Sequence, residues 1–288
     1  MKNRTNRNLL APISRREFLQ ASVLAGIVPF GGIELFSDTD DVEFTHHDVR
    51  SAGASIESVT IIQLSDLHLR SIIPLQKSLA ERVNAEAPDA ILISGDAIDE
   101  PSDLELLDNF LRRLRQNVPK IAILGNHERD KQISLKKLAK TYETNNGVLL
   151  VNKTVHLANN GALSRILITG LDDTFSGSQD LMKALKGADR SPNHILMAHR
   201  PLLNEETTAN LAYCGHQFNL MVAGHTHGGQ INILGYTPVM PKGSGHYVKG
   251  WYRNSGVAMY VSRGIGTTTI PVRIGSDPEV AIFKYYLS

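Results

Sequence analysis

Short apolar runs and longer amphipathic stretches alternate along most of the chain. Residues 59–64, 90–93, 121–124, 195–198 and 220–223 are compact runs rich in Ile, Val, Leu and Ala, with the length and composition of buried strands. Between them, 74–87 and 104–116 space apolar residues three and four positions apart, which predicts crossover helices; a third helix is expected over 133–144, ending near Gly147. Buried strands alternating with helices are the pattern of an α/β protein. Further β-like segments at 147–157, 165–171, 257–261 and 280–286 have no long helices between them, which predicts a second sheet packed on the first. No internal repeat, low-complexity tract or composition break follows residue 58, so 58–288 is expected to be one domain.

The amino terminus obeys a different rule. Lys2, Arg4, Arg7, Arg15 and Arg16 all precede the first acidic residue, Glu17, and a mostly apolar stretch, 18–36, comes next. The segment Ser14-Arg15-Arg16-Glu17-Phe18-Leu19 resembles the twin-arginine signal, which directs folded and often metal-loaded proteins across the bacterial inner membrane. Residues 1–36 are therefore read as an export signal that engages the twin-arginine machinery, and 37–57, polar and rich in Asp, His and Ser, as a linker. The expected location is the periplasm or cell envelope. No clean A-x-A cleavage site lies beyond the apolar stretch, and Gly26, Pro29, Gly31, Gly32 and Glu34 make it a poor membrane helix. The sequence leaves open whether this segment is removed or retained as a membrane anchor.

Composition narrows the chemistry. At 42% hydrophobic content the 288 residues can build a substantial core. Thirty basic against twenty-nine acidic side chains give a formal charge of +1, so nothing draws the whole molecule to nucleic acid, and no basic patch with interleaved aromatics suggests such a partner. Any affinity for phosphate must be local. The single cysteine, Cys214, excludes an intramolecular disulfide and a thiolate-rich zinc cluster.

The residues just beyond each strand are more informative than the strands themselves. The run 59–64 leads into Asp66 and His68, 90–93 into Asp96, 121–124 into Asn126 and His127, 195–198 into His199, and 220–223 into His225 and His227. Ligands in open α/β sheets bind outside the carboxyl ends of strands, so these residues are expected to converge on one crevice. Singly, each has an ordinary explanation as a cap, a turn former or a hydrogen-bonded histidine; their joint occurrence does not. His46, His47, His156, His194, His216 and His246 lack this context and are read as ordinary histidines.

Asp66-x-His68, Gly95-Asp96, Gly125-Asn126-His127-Glu128, His199 and Gly224-His225-Thr226-His227 together resemble, in order and spacing, the motifs of calcineurin-like metallophosphoesterases. The extended run to Gly228-Gly229-Gln230, with the twin-arginine start, is similar to the exported bacterial phosphodiesterase subgroup. The resemblance implies an α/β fold arranged as a four-layer αββα sandwich with two mixed sheets. It implies that Asp66, His68 and His227 hold one divalent transition-metal ion, that Asn126, His199 and His225 hold a second, and that Asp96 bridges them. Nitrogen and oxygen ligands without thiolate suit Mn, Fe, Zn or Co. The expected reaction is hydrolysis of a phosphorylated small molecule or lipid by a hydroxide held between the ions, with His127 protonating the leaving oxygen or steadying phosphoryl charge. Glu128 stands where Asp is common in the family, either to orient His127 or to serve the helix terminus. Arg70 and Arg200, which come shortly after ligand motifs, are read as solvated or structural and left out of the site.

Two other functions compete. Pyrophosphohydrolysis of a lipid-linked nucleotide sugar such as UDP-2,3-diacylglucosamine is known for relatives with this fold, but an export signal argues against a substrate expected on the cytoplasmic side. A catalytically inactive metal-binding interaction module should have lost a ligand or the catalytic histidine, and none is missing here.

Overall fold

The computed structural model describes residues 42–288 apart from 52, 71–73, 159–160, 233–235, 255 and 269–272; the expected export signal lies outside the described residues. Two six-stranded sheets form the centre of the fold. The first has the order β1 (Glu43–Arg50), β12 (Glu279–Tyr286), β2 (Ser58–Leu64), β3 (Ala90–Ile93), β4 (Lys120–Ile123) and β5 (Gly147–Leu150). The second has the order β10 (Gly250–Asn254), β11 (Val257–Val261), β9 (Leu220–Ala223), β8 (Asn193–Met197), β7 (Ile166–Gly170) and β6 (Lys153–His156). Both are mixed: β2 to β5 run parallel with β12 antiparallel to β2, and β7, β8, β9 and β11 run parallel between antiparallel β6 and β10.

Alternation along the strands builds the layers. Ile61, Ala90, Leu92, Ile195, Met197, Leu220 and Val222 face the core between the sheets. Their neighbours Ile62, Leu64, Ile91 and Ile93 turn outward onto the first helical layer, α1 (Pro74–Ala85), α2 (Leu104–Arg113) and α4 (Leu135–Glu143), through Val83, Phe110, Leu138 and Tyr142. Leu196, Ala198, Met221 and Ala223 likewise meet α5 (Leu181–Ala184) and α6 (Glu205–Tyr213). The result is the expected αββα sandwich. Each fully buried Ile, Leu or Phe contributes about 1.5–3 kcal/mol.

The described part of the 37–57 linker corrects the expectation: Glu43–Arg50 is a strand, paired in parallel with β12 along its whole length. It lies at the sheet edge, where Val49 is its one buried residue, so its polar composition concealed it. Thr45 Oγ1 donates to Glu279 2.6 Å away, anchoring the strand through a polar side chain. The segment 147–157 is also two strands, not one: β5 and β6 occupy edges of different sheets, and Asn152, with φ 50°, turns the chain between them.

Parallel strands from both sheets bring their carboxyl ends to one rim. Gln63, fully buried on β2, ties the sheets together there by donating to Ser94 Oγ and to the Ala223 carbonyl, both at 2.9 Å.

Candidate metal centre

Each expected ligand stands just beyond a strand. Asp66 and His68 follow β2, Asp96 follows β3, and Asn126 opens the short helix α3 (Asn126–Asp130) after β4; His199 follows β8, while His225 and His227 follow β9. Asp66, His68, Asp96, His225 and His227 all have left-handed backbones, with φ of 51°, 44°, 50°, 70° and 51°. Such a conformation costs an L residue roughly 1–2 kcal/mol. Five such residues on one rim mark a site where strain aims side chains inward.

Hydrogen bonds across the rim hold that strain. The His225 N–H donates to both Asp66 carboxylate oxygens at 3.0 Å, and the His127 N–H donates to Asp96 Oδ1 at 2.8 Å. Glu128, which belongs to α3, accepts from the backbone N–H groups of Gly125 at 2.9 Å, Asp96 at 3.1 Å and Ala97 at 2.6 Å. Its role is therefore the helix terminus and the two ligand loops; orientation of His127 falls to another residue. Gly125 and Gly224 are needed for close approach, because a Cβ at the first would overlap Asp96 and at the second Ser65 and Asp66.

The side chains gather as the resemblance implied. Asp66, His68 and His227 offer ligand atoms within 4.8 Å of one another, and so do Asp96, His199 and His225; His68, Asp96 and His127 form a third, overlapping group. Asp96 Oδ2 lies 3.2 Å from His199 Nε2 and 3.9 Å from His68 Nε2, between the two clusters. Asn126 lines the same cavity as Asp96 and His225, and its buried Oδ1 has no hydrogen-bond partner. An unpartnered acceptor this deep is costly unless something positive meets it. These donors fit a divalent cation.

Neighbours fix which nitrogen each imidazole presents. His68 Nδ1 lies 2.6 Å from Asp99 and His199 Nδ1 2.8 Å from the Ser94 carbonyl, so both rings carry a proton on Nδ1 and turn Nε2 inward. His225 Nε2 lies 2.9 Å from the Lys242 carbonyl, which leaves Nδ1 to coordinate. Burial, reinforced by His199 and Arg200 around His225 and by Arg273 beside His227, depresses both imidazoles to a pKa of about 3 and keeps them neutral. His199 is the exception. Burial opposes its charge, but Asp96 and Asp66 outweigh burial and push its pKa up to about 10. Burial likewise disfavours charge on Asp96, yet His199 and His68 hold its carboxyl well below the usual range.

His127 is half-buried, with Nδ1 2.8 Å from Asp99 Oδ1 but off the direction of a good hydrogen bond. The Asp99 contact, partly offset by burial, raises the His127 pKa. Asp99 thus faces His68, His127 and the Arg70 guanidinium, whose Nε approaches to 2.5 Å.

Several supporting residues escaped sequence reasoning. Asp99 stands three positions after Asp96, a spacing that signals a second carboxylate on one loop. Asp173 follows β7 as ligands follow other strands, and its Oδ2 lies 2.8 Å from buried Arg200 Nε. That Arg200 guanidinium in turn approaches His225 Nε2 at 2.8 Å and bonds the Lys242 carbonyl. Arg273, fully buried, donates to the carbonyls of Arg263 at 2.9 Å and His227 at 3.3 Å, and its Nη2 lies 3.2 Å from His227 Nδ1. Arg70 is half-exposed and pairs with Asp99, whereas Arg200 is buried against Asp173. His194 is an ordinary core histidine, 2.7 Å from Thr169 Oγ1. A cavity of about 420 Å³ opens over the centre, with Asp96, Asn126, His127, His225 and His227 on one side and Ile231, Pro238, Val239 and Pro241 on another.

Clustered carboxylate and imidazole ligands at the strand ends of an αββα sandwich define a metallophosphoesterase. The chain belongs to the calcineurin-like phosphoesterase family, whose profile matches residues 59–229. It is 30% identical over 288 residues to "Uncharacterized metallophosphoesterase YkuE" of Bacillus subtilis (strain 168), covering 94% of this chain and 97% of that protein. A second relative, "Uncharacterized protein YpbG" of the same organism, is 30% identical over 226 residues, with 78% of this chain and 80% of that one covered. "Phosphodiesterase YaeI" of Escherichia coli (strain K12) is 26% identical over 282 residues, with coverage of 94% and 99%. The family typically binds divalent metals, and its His and Asp clusters are present here.

Proposed function

We propose that this protein hydrolyses phosphate esters, as a phosphodiesterase or phosphatase, with two divalent cations. Asp66, His68 and His227 would hold one, Asn126, His199 and His225 the other, with Asp96 common to both. The observation that carries this reading is the pair of ligand groups, Asp66, His68 and His227 beside Asp96, His199 and His225, with Asp96 also grouped with His68. Two bound cations would supply Lewis-acid polarisation of the phosphoryl oxygens and activation of water for in-line attack. The buried Asp66 and Asp96 carry two negative charges, fewer than the four positive charges of two divalent ions, so the centre keeps an excess that attracts phosphate.

The remaining work falls to His127. Asp99 occupies its Nδ1 side, which leaves Nε2 for the substrate. As a water oxygen bonds to phosphorus and its proton passes to solvent, the ester P–O bond breaks and His127 gives its proton to the departing oxygen; Asp99 favours the charged imidazole beforehand. The similarity to a protein named as a phosphodiesterase supports diester hydrolysis.

We also infer export through residues 1–36 to the periplasm or cell envelope. Among the described residues, no helix is long and apolar enough to cross a membrane. Replacing Arg15 and Arg16 by Lys should strand the protein in the cytoplasm; unchanged export in cells without the twin-arginine pathway would refute this.

The function is tested by assaying the purified chain on nitrophenyl phosphate mono- and diesters, nucleotides and lipid phosphates, with metal removed and restored. Turnover that disappears with chelation and returns with Mn, Fe, Zn or Co supports the proposal. Full turnover in demonstrably metal-free protein refutes it.

A further inference from the structure

The cavity over the centre has two unlike walls. One is the ligand cluster; the other carries the hydrocarbon of Ile231, Pro238, Val239 and Pro241, with Thr226, Gln230 and Thr268 also on the lining. Among the described residues, no Lys or Arg lines the cavity, and no Phe, Tyr or Trp does. A second phosphate would therefore find no cation beyond the centre itself, and a nucleobase would find no aromatic platform. Pro238 and Pro241 have no N–H, which thins the donors this wall could offer to a sugar hydroxyl.

The apolar wall is anchored to the ligands. At one end Gly229, directly after the His227-Gly228 turn, packs so closely on Thr237 and Met240 that an added Cβ would lie 3.0 Å from Thr237 Cβ and 3.7 Å from Met240 Sδ. At the other, the Lys242 carbonyl next to Pro241 lies 2.9 Å from His225 Nε2. Val239 nevertheless stands 75% exposed at the cavity's lip. A branched apolar side chain left in water beside a preformed cavity gains when hydrocarbon covers it. The volume, about 420 Å³, leaves room for more than a phosphoryl group.

We propose that Ile231, Pro238, Val239 and Pro241 form a subsite for a hydrocarbon substituent of the phosphoester, so that preferred substrates carry an apolar group beside phosphorus. This deepens the phosphoesterase reading above and rests on it. Calorimetric titration of the full-length, Mn(II)-loaded protein with methyl-, butyl- and hexylphosphonate tests it without requiring turnover. Kd should fall about fourfold per added methylene until the wall is covered. Val239→Asn, a neutral change at an exposed position that the fold tolerates, should flatten that dependence. Equal Kd across the series, or an unchanged slope in Val239→Asn, would overturn the subsite while leaving phosphate binding intact. Failure of every phosphonate to bind would overturn the phosphate reading together with the subsite.

Discussion

Asp96 Oδ2 and His199 Nε2 lie 3.2 Å apart, both fully buried, and the carboxylate holds the imidazole protonated against burial. The proton on His199 occupies the place a cation would take. With its pKa pushed up to about 10, His199 must lose that proton before it can coordinate, so metal and proton compete. Metal affinity should therefore rise with pH through the neutral range, by up to about tenfold per unit, and uptake near pH 7.5 should release about one proton. Calorimetry in buffers of different ionisation enthalpy measures the release; an affinity independent of pH would contradict the pairing.

His127→Ala should keep its metal and its fold while turnover falls roughly 10²–10⁴-fold, the range for a lost general acid. The loss should shrink for nitrophenyl esters, whose leaving groups depart without a proton. A variant that loses metal, or slows good and poor leaving groups alike, would assign His127 to coordination or charge stabilisation.

Asp99→Asn removes the charge that raises the His127 pKa. A general acid works while protonated, so activity is lost as pH rises through its pKa. With that pKa lowered, the alkaline limb of the pH–rate profile should move to lower pH, and turnover should drop about 10–100-fold. An unmoved limb would separate Asp99 from the acid.

Glu128→Ala should destabilise the protein by about 3 kcal/mol, because the N–H groups of Gly125, Asp96 and Ala97 lose a shared buried acceptor. Glu128→Gln keeps one acceptor oxygen and should cost less. Chemical denaturation of both variants decides this; equal stability of wild type and Glu128→Ala would refute the loop-holding role.

How legible the molecule is in its sequence depends on whether a residue acts through its own element or through a neighbour. Ala90–Ile93 and Leu220–Ala223 are apolar throughout and lie buried on both faces, so composition alone located them. The ligands were legible because strand-end chemistry repeats: Asp96, His199 and His225 each follow such a run. Glu43–Arg50 was hidden because an edge strand needs little apolar surface, and α6 because it buries only Thr207 and Leu211. Arg273 lies 46 positions from His227 in the chain, and no local pattern announces that they meet.

Metal stoichiometry bears on all of this chemistry at once, since the proposed reaction depends on two neighbouring ligand groups, one of them containing Asp96. Elemental analysis of the metal-saturated protein, compared with His227→Ala and Asp96→Ala, should find close to two ions per chain in the wild type. About one should remain in His227→Ala, and fewer still in Asp96→Ala, where the carboxylate common to both groups is gone. A wild-type protein that saturates at a single ion, or Asp96→Ala that still binds two, would contradict the dinuclear centre.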